Sequence, residues 1–398
     1  MLYFWEGLNE EKGGSMKVLH TADWHIGKKL HGYDLLPDQA YILDQIKKIA
    51  KEEAVDAIVI AGDLYDRSVP SEESVRLLNQ TIADWNLHEG FPLLAISGNH
   101  DSATRLATGA PWFNQANFHL HTRLAEAFTP IEMADTQFYL LPYFEPVDAR
   151  IYFEDPELRT IQQAMPKVIQ KIEESFDPAK SHVLVSHFFV AGSSKTDSET
   201  KIEVGGLDGI NGTLLEAFDY VALGHLHGKD ALKLANARYS GSPLKYSLSE
   251  KDQTKGVWIV ETETGEFTFR EVTPLHEIQE LQTSFASLLD PTFYSAIDRE
   301  NYLSILLEDR AVIPNLMNQL RQVYPRIIQV ERANGFETAV EARLKTENIK
   351  EKSPIALTED FFMDVSQNEL TTLQKQWIEE GLHTILKEGG ASECFRRK

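Results

Sequence analysis

Cysteine is almost absent from this sequence: the 398 residues contain one, Cys394. A single cysteine excludes an internal disulfide, which is typical of proteins kept in a reducing compartment. Long apolar runs are also absent, and none approaches the roughly 20 residues that a membrane-spanning helix needs. The first residues have neither a basic lead nor a secretory apolar core, so the sequence does not indicate export. These absences predict a soluble cytoplasmic protein with no membrane partner.

Basic residues are outnumbered by acidic ones, 39 to 61, which gives a formal net charge of −22. A surplus of this sign disfavours long-range attraction of nucleic acid. It does not exclude a nucleic-acid partner, because local basic strips and bound cations decide whether phosphate can approach a site. The 42% hydrophobic and 25% charged fractions are typical of a globular chain, and the length predicts about two domains.

Several apolar stretches end at residues that can bind a metal ion. The clearest begins at Pro92 and stops at Gly98-Asn99-His100-Asp101. Such a run predicts a buried strand that brings polar side chains to its carboxyl end. Four further stretches end in the same way, at Asp23 and His25, at Asp63, at His187, and at His225 and His227. One such residue is usually a turn or cap residue, but five stretches in one chain predict a shared site.

The side chains at these strand ends offer carboxylate and amide oxygens and imidazole nitrogens, but no thiolate. This donor set favours Mn²⁺ or a similar divalent ion such as Mg²⁺. Any one Asp-x-His or His-x-His pair could be accidental alternation on a strand. Seven ligands together are too many for one ion and fit two ions that share a bridging carboxylate, for which Asp63 is the candidate. The candidate ligands are Asp23, His25, Asp63, Asn99, His187, His225 and His227.

The order of the predicted elements favours a layered α/β fold. Residues 36–53 have the apolar spacing of a helix, and Ser71 is placed to cap a second helix between two predicted strands. Further strands are predicted over residues 117–122, 136–143, 256–261 and 267–272. This number of strands favours a two-sheet β-sandwich core flanked by helices over a single parallel sheet.

The motifs at the strand ends resemble those of the calcineurin-like metallophosphoesterases. They are Asp23-x-His25, Gly62-Asp63, Gly98-Asn99-His100-Asp101, a strand-terminal His187 and Gly224-His225-x-His227. Within that superfamily, the segments 20–27, 62–67 and 239–243 resemble the nuclease subunits of bacterial DNA-repair complexes. The resemblance implies one metal held by Asp23, His25, Asp63 and His227, and a second held by Asp63, Asn99, His187 and His225.

The same resemblance implies a metal-dependent DNA nuclease of repair and recombination. Its expected activities are an exonuclease on double-stranded ends and an endonuclease on hairpins or single strands. His100 would be the catalytic histidine, and Asp101 is expected either to orient it or to cap a turn. The implied partners are DNA, a coiled-coil ATPase subunit and a second nuclease subunit, within a heterotetramer. A phosphomonoesterase, a cyclic-nucleotide phosphodiesterase and a scaffold for the ATPase remain as alternatives.

The chain beyond the phosphoesterase motifs predicts further parts. We expect an extension over 1–15, the phosphoesterase domain over 16–275, a small α/β DNA-binding cap domain over 276–345, a linker over 346–357 and a helical tail over 358–398. Within the cap domain, residues 302–308, 313–324 and 327–330 predict a β-α-β unit. Arg321, Arg326 and Arg332 are the candidate phosphate contacts of the cap domain. The apolar residues of the tail predict a helix that binds the ATPase partner, or one that packs back on the cap domain. They are Phe361, Phe362, Val365, Leu370, Leu373, Trp377, Leu382, Ile385 and Leu386.

Overall fold

The structure is a computed structural model that describes residues 16–194, 196–198, 209–333, 354–366, 370–378 and 381. The predicted extension, residues 346–353 of the predicted linker, and Leu382, Ile385 and Leu386 of the tail lie outside the described residues. The chain divides into two compact units. One holds the described residues up to 281 with 297–304 and 324–329, and the other holds 282–296, 305–323 and the described residues from 330 onward. In the part of the chain that is described, no helix has the length and apolar character needed to cross a membrane.

Most of the central strands are short apolar segments rich in β-branched residues, which favour a pleated and buried backbone. The strands are β1 (Lys17–Thr21), β2 (Lys29–Leu30), β3 (Tyr33–Asp34), β4 (Ala57–Ala61), β5 (Leu93–Ile96), β6 (Phe118–His121), β7 (Ile131–Met133), β8 (Thr136–Leu141), β9 (Ser181–Ser186), β10 (Tyr220–Leu223), β11 (Ala237–Tyr239), β12 (Gly256–Glu261), β13 (Phe267–Glu271), β14 (Ile278–Thr283), β15 (Tyr302–Leu307) and β16 (Ile327–Arg332).

The helices connect these strands. They are α1 (Leu36–Glu52), α2 (Glu72–Ile82), α3 (Ala103–Leu106), α4 (Ala110–Phe113), α5 (Pro146–Phe153), α6 (Ile161–Glu173), α7 (Phe285–Leu288), α8 (Pro291–Tyr294), α9 (Leu316–Arg321) and α10 (Pro354–Ser366). A π-helical segment, Ala83–His88, follows α2 directly. Residues 372–378 are also helical.

Two sheets form the core of the first unit. The first has six strands in the order β13-β12-β1-β4-β5-β6, and the second has five in the order β11-β10-β9-β8-β7. In the first sheet β1, β4, β5 and β6 are parallel, while β12 is antiparallel to β1. In the second sheet β8, β9, β10 and β11 are parallel. Parallel strands end at the same edge of a sheet, so each sheet brings several strand ends together.

The apolar side chains of the strands show how the sheets are covered. One buried cluster joins alternate residues of both sheets, for example Val18 and Val59 from the first with Val185 from the second, and forms the interior of a sandwich. The opposite face of the first sheet packs against α1 and α2, and that of the second against α6. Strands buried on both faces have continuous apolar sequences, as in Ala57–Ala61. The prediction of a two-sheet core flanked by helices is therefore confirmed.

Both helices predicted between the first strands are present. Helix α1 has a proline in its first turn and buries a stripe that includes Ile42, Ile46 and Ile49. Ser71 caps α2 by accepting a hydrogen bond of 3.2 Å from the N–H of Ser74. Helix α6 was not predicted, although a Thr160–Gln163 capping box precedes its buried apolar stripe.

A third sheet follows the sandwich, with three strands in the order β14-β15-β16. Two of these strands and the helix between them correspond to the predicted β-α-β segment, but α9 is shorter than the predicted helix over 313–324. Strand β14 was not predicted. The division into cap domain, linker and tail stays a prediction.

Candidate metal centre

Five strands place the candidate ligands at one site. Strands β1, β4 and β5 of the first sheet are followed by Asp23, by Asp63 and by Asn99, and strands β9 and β10 of the second are followed by His187 and His225. His25 and His227 lie two residues further along the first and last of these segments. Since the strands of each group are parallel, their carboxyl ends lie at one edge of the sandwich. The structure brings all seven predicted ligands together there.

Asp63 lies at the centre of the site. Its Oδ2 atom is 3.2 Å from Nε2 of His187 and 3.6 Å from Nε2 of His25. Two groups of side chains with closely spaced ligand atoms contain Asp63, one with Asp23 and His187 and one with His25 and His100. A third group consists of Asp23, His25 and His227. A carboxylate shared between groups is the arrangement that a bridging ligand requires.

The remaining ligands close the site from both sheets. Asn99 Oδ1 lies 3.0 Å from His187 Nε2 and 3.0 Å from His225 Nδ1. His25 Nε2 lies 3.1 Å from His227 Nε2. Two ring nitrogens that face each other at this distance either share a proton or bind a common cation, because two lone pairs repel.

Four of the candidate ligands have a left-handed backbone. The φ angle is 54° at Asp23, 43° at His25, 52° at Asp63 and 96° at His225. A residue with a side chain adopts this region at a cost of about 1–2 kcal/mol, and such strain is concentrated at functional sites. Backbone hydrogen bonds hold the β1 and β4 segments together here, from Asp23 N to Gly62 O at 3.1 Å and from His25 N to Asp63 O at 2.9 Å.

Glycine is required where these segments approach each other. A Cβ atom on Gly62 would lie 2.4 Å from Nδ1 of His187, and φ of Gly62 is +90°. A Cβ atom on Gly98 would lie 2.2 Å from Oδ1 of Asp63. Both distances are shorter than any carbon can tolerate, so these glycines allow the ligands to converge.

The electrostatics of the site favour a bound cation. Asp23 and Asp63 are 0% and 2% exposed. Burial raises the pKa of Asp23 to about 7, against the opposing effect of His187 and His227. Burial alone would also raise the pKa of Asp63, but the charge and hydrogen bond of His187 hold it below its ordinary value. The charge of Asp63 in turn raises the pKa of His187 to about 9, although burial opposes it. Asp63 is thus paired with His187, whereas Asp23 has no full countercharge among the described residues.

Hydrogen bonds to main-chain carbonyl oxygens fix the position of one ring proton on each of two histidines. His187 Nδ1 lies 2.7 Å from the carbonyl oxygen of Ala61, and His100 Nδ1 lies 2.9 Å from that of Asp66. A carbonyl oxygen only accepts, so each Nδ1 carries the proton when these bonds form. Nε2 of His187 can then bind a cation once the cation displaces its proton, and Nε2 of His100 is the nitrogen that can exchange a proton.

Asp101 organises the backbone around His100. Its carboxylate accepts hydrogen bonds from the N–H groups of Gly98 at 2.9 Å, Leu64 at 3.1 Å and Tyr65 at 3.0 Å. Burial and the charge of Asp63 raise the pKa of Asp101 to about 6, against these three bonds. The contacts support the turn-capping alternative for Asp101. His100 is held instead by the Asp66 carbonyl and by its own N–H, which donates to Asp63 Oδ1 at 2.9 Å.

Some residues that support the site were not found by sequence reasoning. Gln39 of α1 donates to the carbonyl oxygen of His25 at 2.8 Å and accepts from Gly27 N at 3.0 Å. The signal for Gln39 was a polar residue on the buried face of an amphipathic helix. Glu250 and Lys255 form an ion pair in which both side chains are buried. No motif marked them, because an acidic and a basic residue in a polar loop are usually exposed.

Comparisons with known proteins show which families this chain is similar to. A family model described as calcineurin-like phosphoesterase matches residues 16–229, and one described as type 5 capsule protein repressor C-terminal domain matches residues 274–366. A Staphylococcus epidermidis protein, named as the D subunit of the nuclease SbcCD, is 34% identical over 378 residues, which cover 94% of this chain and 100% of the relative. The protein of that name from Staphylococcus saprophyticus is 34% identical over 377 residues, with the same coverage.

Among solved structures, a dimetal phosphatase from Danio rerio is 13% identical and matches with a TM-score of 0.40. The match covers 66% of this chain and 98% of that structure.

Replacing Gly98 by alanine tests whether close approach sets the position of Asp63. The added methyl group displaces the Asp63 carboxylate, so we expect Gly98→Ala to weaken Mn²⁺ binding about 10- to 100-fold, as disturbance of a supporting contact does. Isothermal titration of the metal-free protein measures this. Gly381→Ala is the control, because nothing lies within 4 Å of its added carbon. Unchanged affinity in Gly98→Ala would show that this close approach does not set the position of Asp63 for metal binding.

Proposed function

This chain belongs to the SbcD family of calcineurin-like phosphoesterases, and from that premise we propose that it is a metal-dependent DNA nuclease, the D subunit of an SbcCD-type complex. The observation that carries the proposal is the convergence of seven oxygen and imidazole donors, two of which are buried carboxylates. The proposed reactions are exonuclease cleavage of double-stranded ends and endonuclease cleavage of hairpins and single strands, in DNA repair and recombination.

A small-molecule phosphomonoesterase or cyclic-nucleotide phosphodiesterase would use the same donor set. The chain beyond residue 273 distinguishes these alternatives from a nuclease. It matches a second family model over 274–366, and the SbcD relatives align over 94% of the chain rather than over the phosphoesterase domain alone. A small-molecule enzyme has no need of this addition, so these matches favour the nuclease.

Divalent metal ions fit the site, because its buried carboxylate, amide and imidazole donors are hard or borderline ligands and Asp23 lacks a full countercharge. We propose two ions, Mn²⁺ or alternatively Mg²⁺. Asp23, His25, Asp63 and His227 would hold one, and Asp63, Asn99, His187 and His225 the other. When bound, such ions would lower the pKa of an attacking water and neutralise charge on the scissile phosphate.

His100 is the residue proposed to handle the proton of the leaving group. Its Nδ1–H donates to the Asp66 carbonyl, so Nε2 is the nitrogen that can give a proton to the departing sugar oxygen or bind the charged phosphate. Proton transfer of this kind contributes about 10²- to 10⁴-fold to a rate. Asp101 keeps the turn that carries His100 in place through three backbone hydrogen bonds.

Two substitutions separate proton transfer from metal binding. We expect His100→Ala to lower cleavage of linear DNA about 10²- to 10⁴-fold while both ions stay bound. Asp63→Ala should empty both positions, because one carboxylate serves two ions. Cleavage with Mn²⁺ and metal analysis of each purified variant measure these effects, and His88→Ala, with a side chain 77% exposed, is the control.

A simple phosphomonoester assayed in parallel tests the substrate class. Efficient turnover of the monoester with no cleavage of DNA would contradict the nuclease. Normal cleavage by His100→Ala, or full metal content in Asp63→Ala, would contradict the assigned roles.

DNA contact by the cap domain is part of the proposal. Of the three candidate arginines, Arg326 pairs with Glu300 and Arg332 donates to the carbonyl oxygen of Asp309. Arg321, at the end of α9, is exposed. A guanidinium that already holds a partner must give it up to bind phosphate, so we propose Arg321 as the first of the three to contact DNA.

The proposed homodimer needs a surface that a second nuclease chain can cover. Helices α2, α3 and α4 line an apolar groove of about 860 Å³ that also contains Tyr65 and Ser102. Near it Val69, Leu87 and Trp112 are 64%, 66% and 71% exposed. Large apolar side chains grouped in this way mark protein interfaces. We propose that the second nuclease chain of the heterotetramer binds here.

The described part of the tail carries apolar side chains suited to a protein partner. Phe361 is 68% exposed, Leu373 55% and Trp377 62%. Lys375 and Glu359 form an ion pair at 2.8 Å that joins the two helical segments. Helices that expose a large apolar residue on each segment can bind a groove or coiled coil of another protein. We propose that this tail binds the SbcC-type ATPase.

Removal of the tail tests this partner contact. A protein lacking residues 356–398 should stay folded and metal-loaded, hydrolyse a small phosphodiester normally, and fail to co-purify with the SbcC-type ATPase. Phe361→Ser with Trp377→Ser in the full chain should weaken the complex, and Gln376→Ser is the exposed polar control. Undiminished binding by the truncated chain would place the contact elsewhere. Unfolding of the truncated chain with normal binding by the double variant would favour internal packing of the tail.

A further inference from the structure

A buried ion pair lies beside His227, one of the candidate metal ligands. Glu250 is 0% exposed and Lys255 is 7% exposed. Lys255 Nζ donates to Glu250 Oε2 at 2.5 Å and to the main-chain carbonyl of His227 at 2.9 Å. It also donates to Ser242 Oγ at 2.9 Å. The lysine therefore joins the carboxylate to the backbone of His227.

A serine joins the same carboxylate to the His227 ring. Ser198 Oγ lies 2.6 Å from His227 Nδ1 and is also hydrogen bonded to Glu250 Oε1. Glu250 Oε1 is itself 3.6 Å from the ring nitrogen. Glu250 thus reaches the imidazole through the hydroxyl of Ser198, and it reaches the main chain of the same residue through Lys255.

The direction of these hydrogen bonds fixes the position of one proton. An ionised carboxylate only accepts, so the single hydrogen of Ser198 is donated to Glu250. The Ser198 oxygen can then only accept from the ring, which places a proton on His227 Nδ1. The buried ion pair with Lys255, at 2.5 Å, is the contact of an ionised Glu250 carboxylate, so this proton arrangement follows from the geometry.

Stability alone does not account for this ion pair. Removing both charges from water is costly, and well-packed apolar residues in the same place are often as stabilising as a buried ion pair. The pair also occupies the segment that follows Tyr239–Pro243, one of the motifs that carried the family resemblance. Ser242 of that motif accepts from Lys255, and its N–H donates to the His227 carbonyl at 3.1 Å. Contacts of Ser242, Glu250 and Lys255 thus converge on one histidine.

We propose that Glu250, Lys255 and Ser198 are positioning residues that hold His227 in the Nδ1–H form and so leave Nε2 to bind a divalent cation. The proposal rests on the metal assignment above. Outer contacts of this kind set the tautomer and orientation of a metal-binding imidazole, and their loss typically weakens metal binding about 10- to 100-fold. The facing nitrogens of His227 and His25 show that Nε2 is on the side of the site.

Three variants test the proposal. Ser198→Ala breaks the link to the ring and leaves the ion pair in place. Glu250→Gln combined with Lys255→Met removes both charges together, so no unpaired charge is buried. The control is Glu280→Gln, which breaks the exposed Lys251–Glu280 pair of 2.8 Å in the same unit. Thermal unfolding of each variant checks that it is folded. If the double variant does not fold, the result for Ser198→Ala decides whether the proposal holds.

Two measurements are made on the full-length protein. Nitrogen-15 NMR of the labelled histidines in the metal-free protein reports the tautomer of His227, whose signals are assigned by their loss in His227→Asn. Titration with Mn²⁺ reports affinity. We expect the Nδ1–H form in the unmodified protein, a mixture of tautomers in Ser198→Ala and in the double variant, and an affinity about 10- to 100-fold weaker in both.

The outcomes separate this proposal from the metal assignment. Unchanged tautomer and affinity in Ser198→Ala would overturn the positioning role, even if His227→Asn loses metal. Unchanged Mn²⁺ binding in His227→Asn would overturn the metal assignment of His227 and with it the purpose of the positioning residues. A tautomer change with weaker Mn²⁺ binding, and neither effect in Glu280→Gln, supports the proposal.

Discussion

Two carboxylates buried at the edge of a β-sandwich are the constraint on which the rest of this structure depends. Asp23 and Asp63 are almost inaccessible to water, and burial of a charge is costly unless a countercharge is near. His187 supplies a countercharge to Asp63 while its ring is protonated, and burial raises the pKa of Asp23. Bound divalent cations would displace the proton of His187 and supply the countercharge to both carboxylates. The donors around the two carboxylates then act as ligands rather than as isolated polar groups.

The fold forms this site at the cost of local backbone strain. Parallel strands of both sheets end at the same edge, so residues far apart in the chain meet, such as Asp63 and His187. Four left-handed residues and two closely packed glycines are needed to turn the chain at these ends. The covered faces of the sandwich, with α1 and α2 on one side and α6 on the other, supply the packing that offsets this strain. The packed core of the sandwich thus stabilises the strained backbone at the ends of the strands.

Much of this arrangement follows from the sequence, because an apolar run that ends at a polar residue has few alternatives to a buried strand. The two-sheet core and the convergence of the seven ligands were predictable for that reason. The contacts that hold the ligands in place were not predictable from the sequence. Asp101 is adjacent to His100 in sequence, yet its carboxylate binds the backbone of Gly98 and of the segment after Asp63. Glu250 and Lys255 are unremarkable in sequence, since only the tertiary structure shows that both are buried beside His227. Left-handed backbone has only a weak sequence signal at Asp and His residues, which are enriched in this region but adopt it uncommonly.

The central claim is that these seven residues bind two divalent ions which share Asp63. Anomalous diffraction at the manganese absorption edge, from crystals of the full-length protein grown with Mn²⁺, tests it most directly. We predict two anomalous peaks about 3.5–4 Å apart, the separation typical of two-metal sites. One should lie among Asp23, His25, Asp63 and His227, and the other among Asp63, Asn99, His187 and His225. A single peak, peaks away from Asp63, or none at saturating Mn²⁺ would contradict the account.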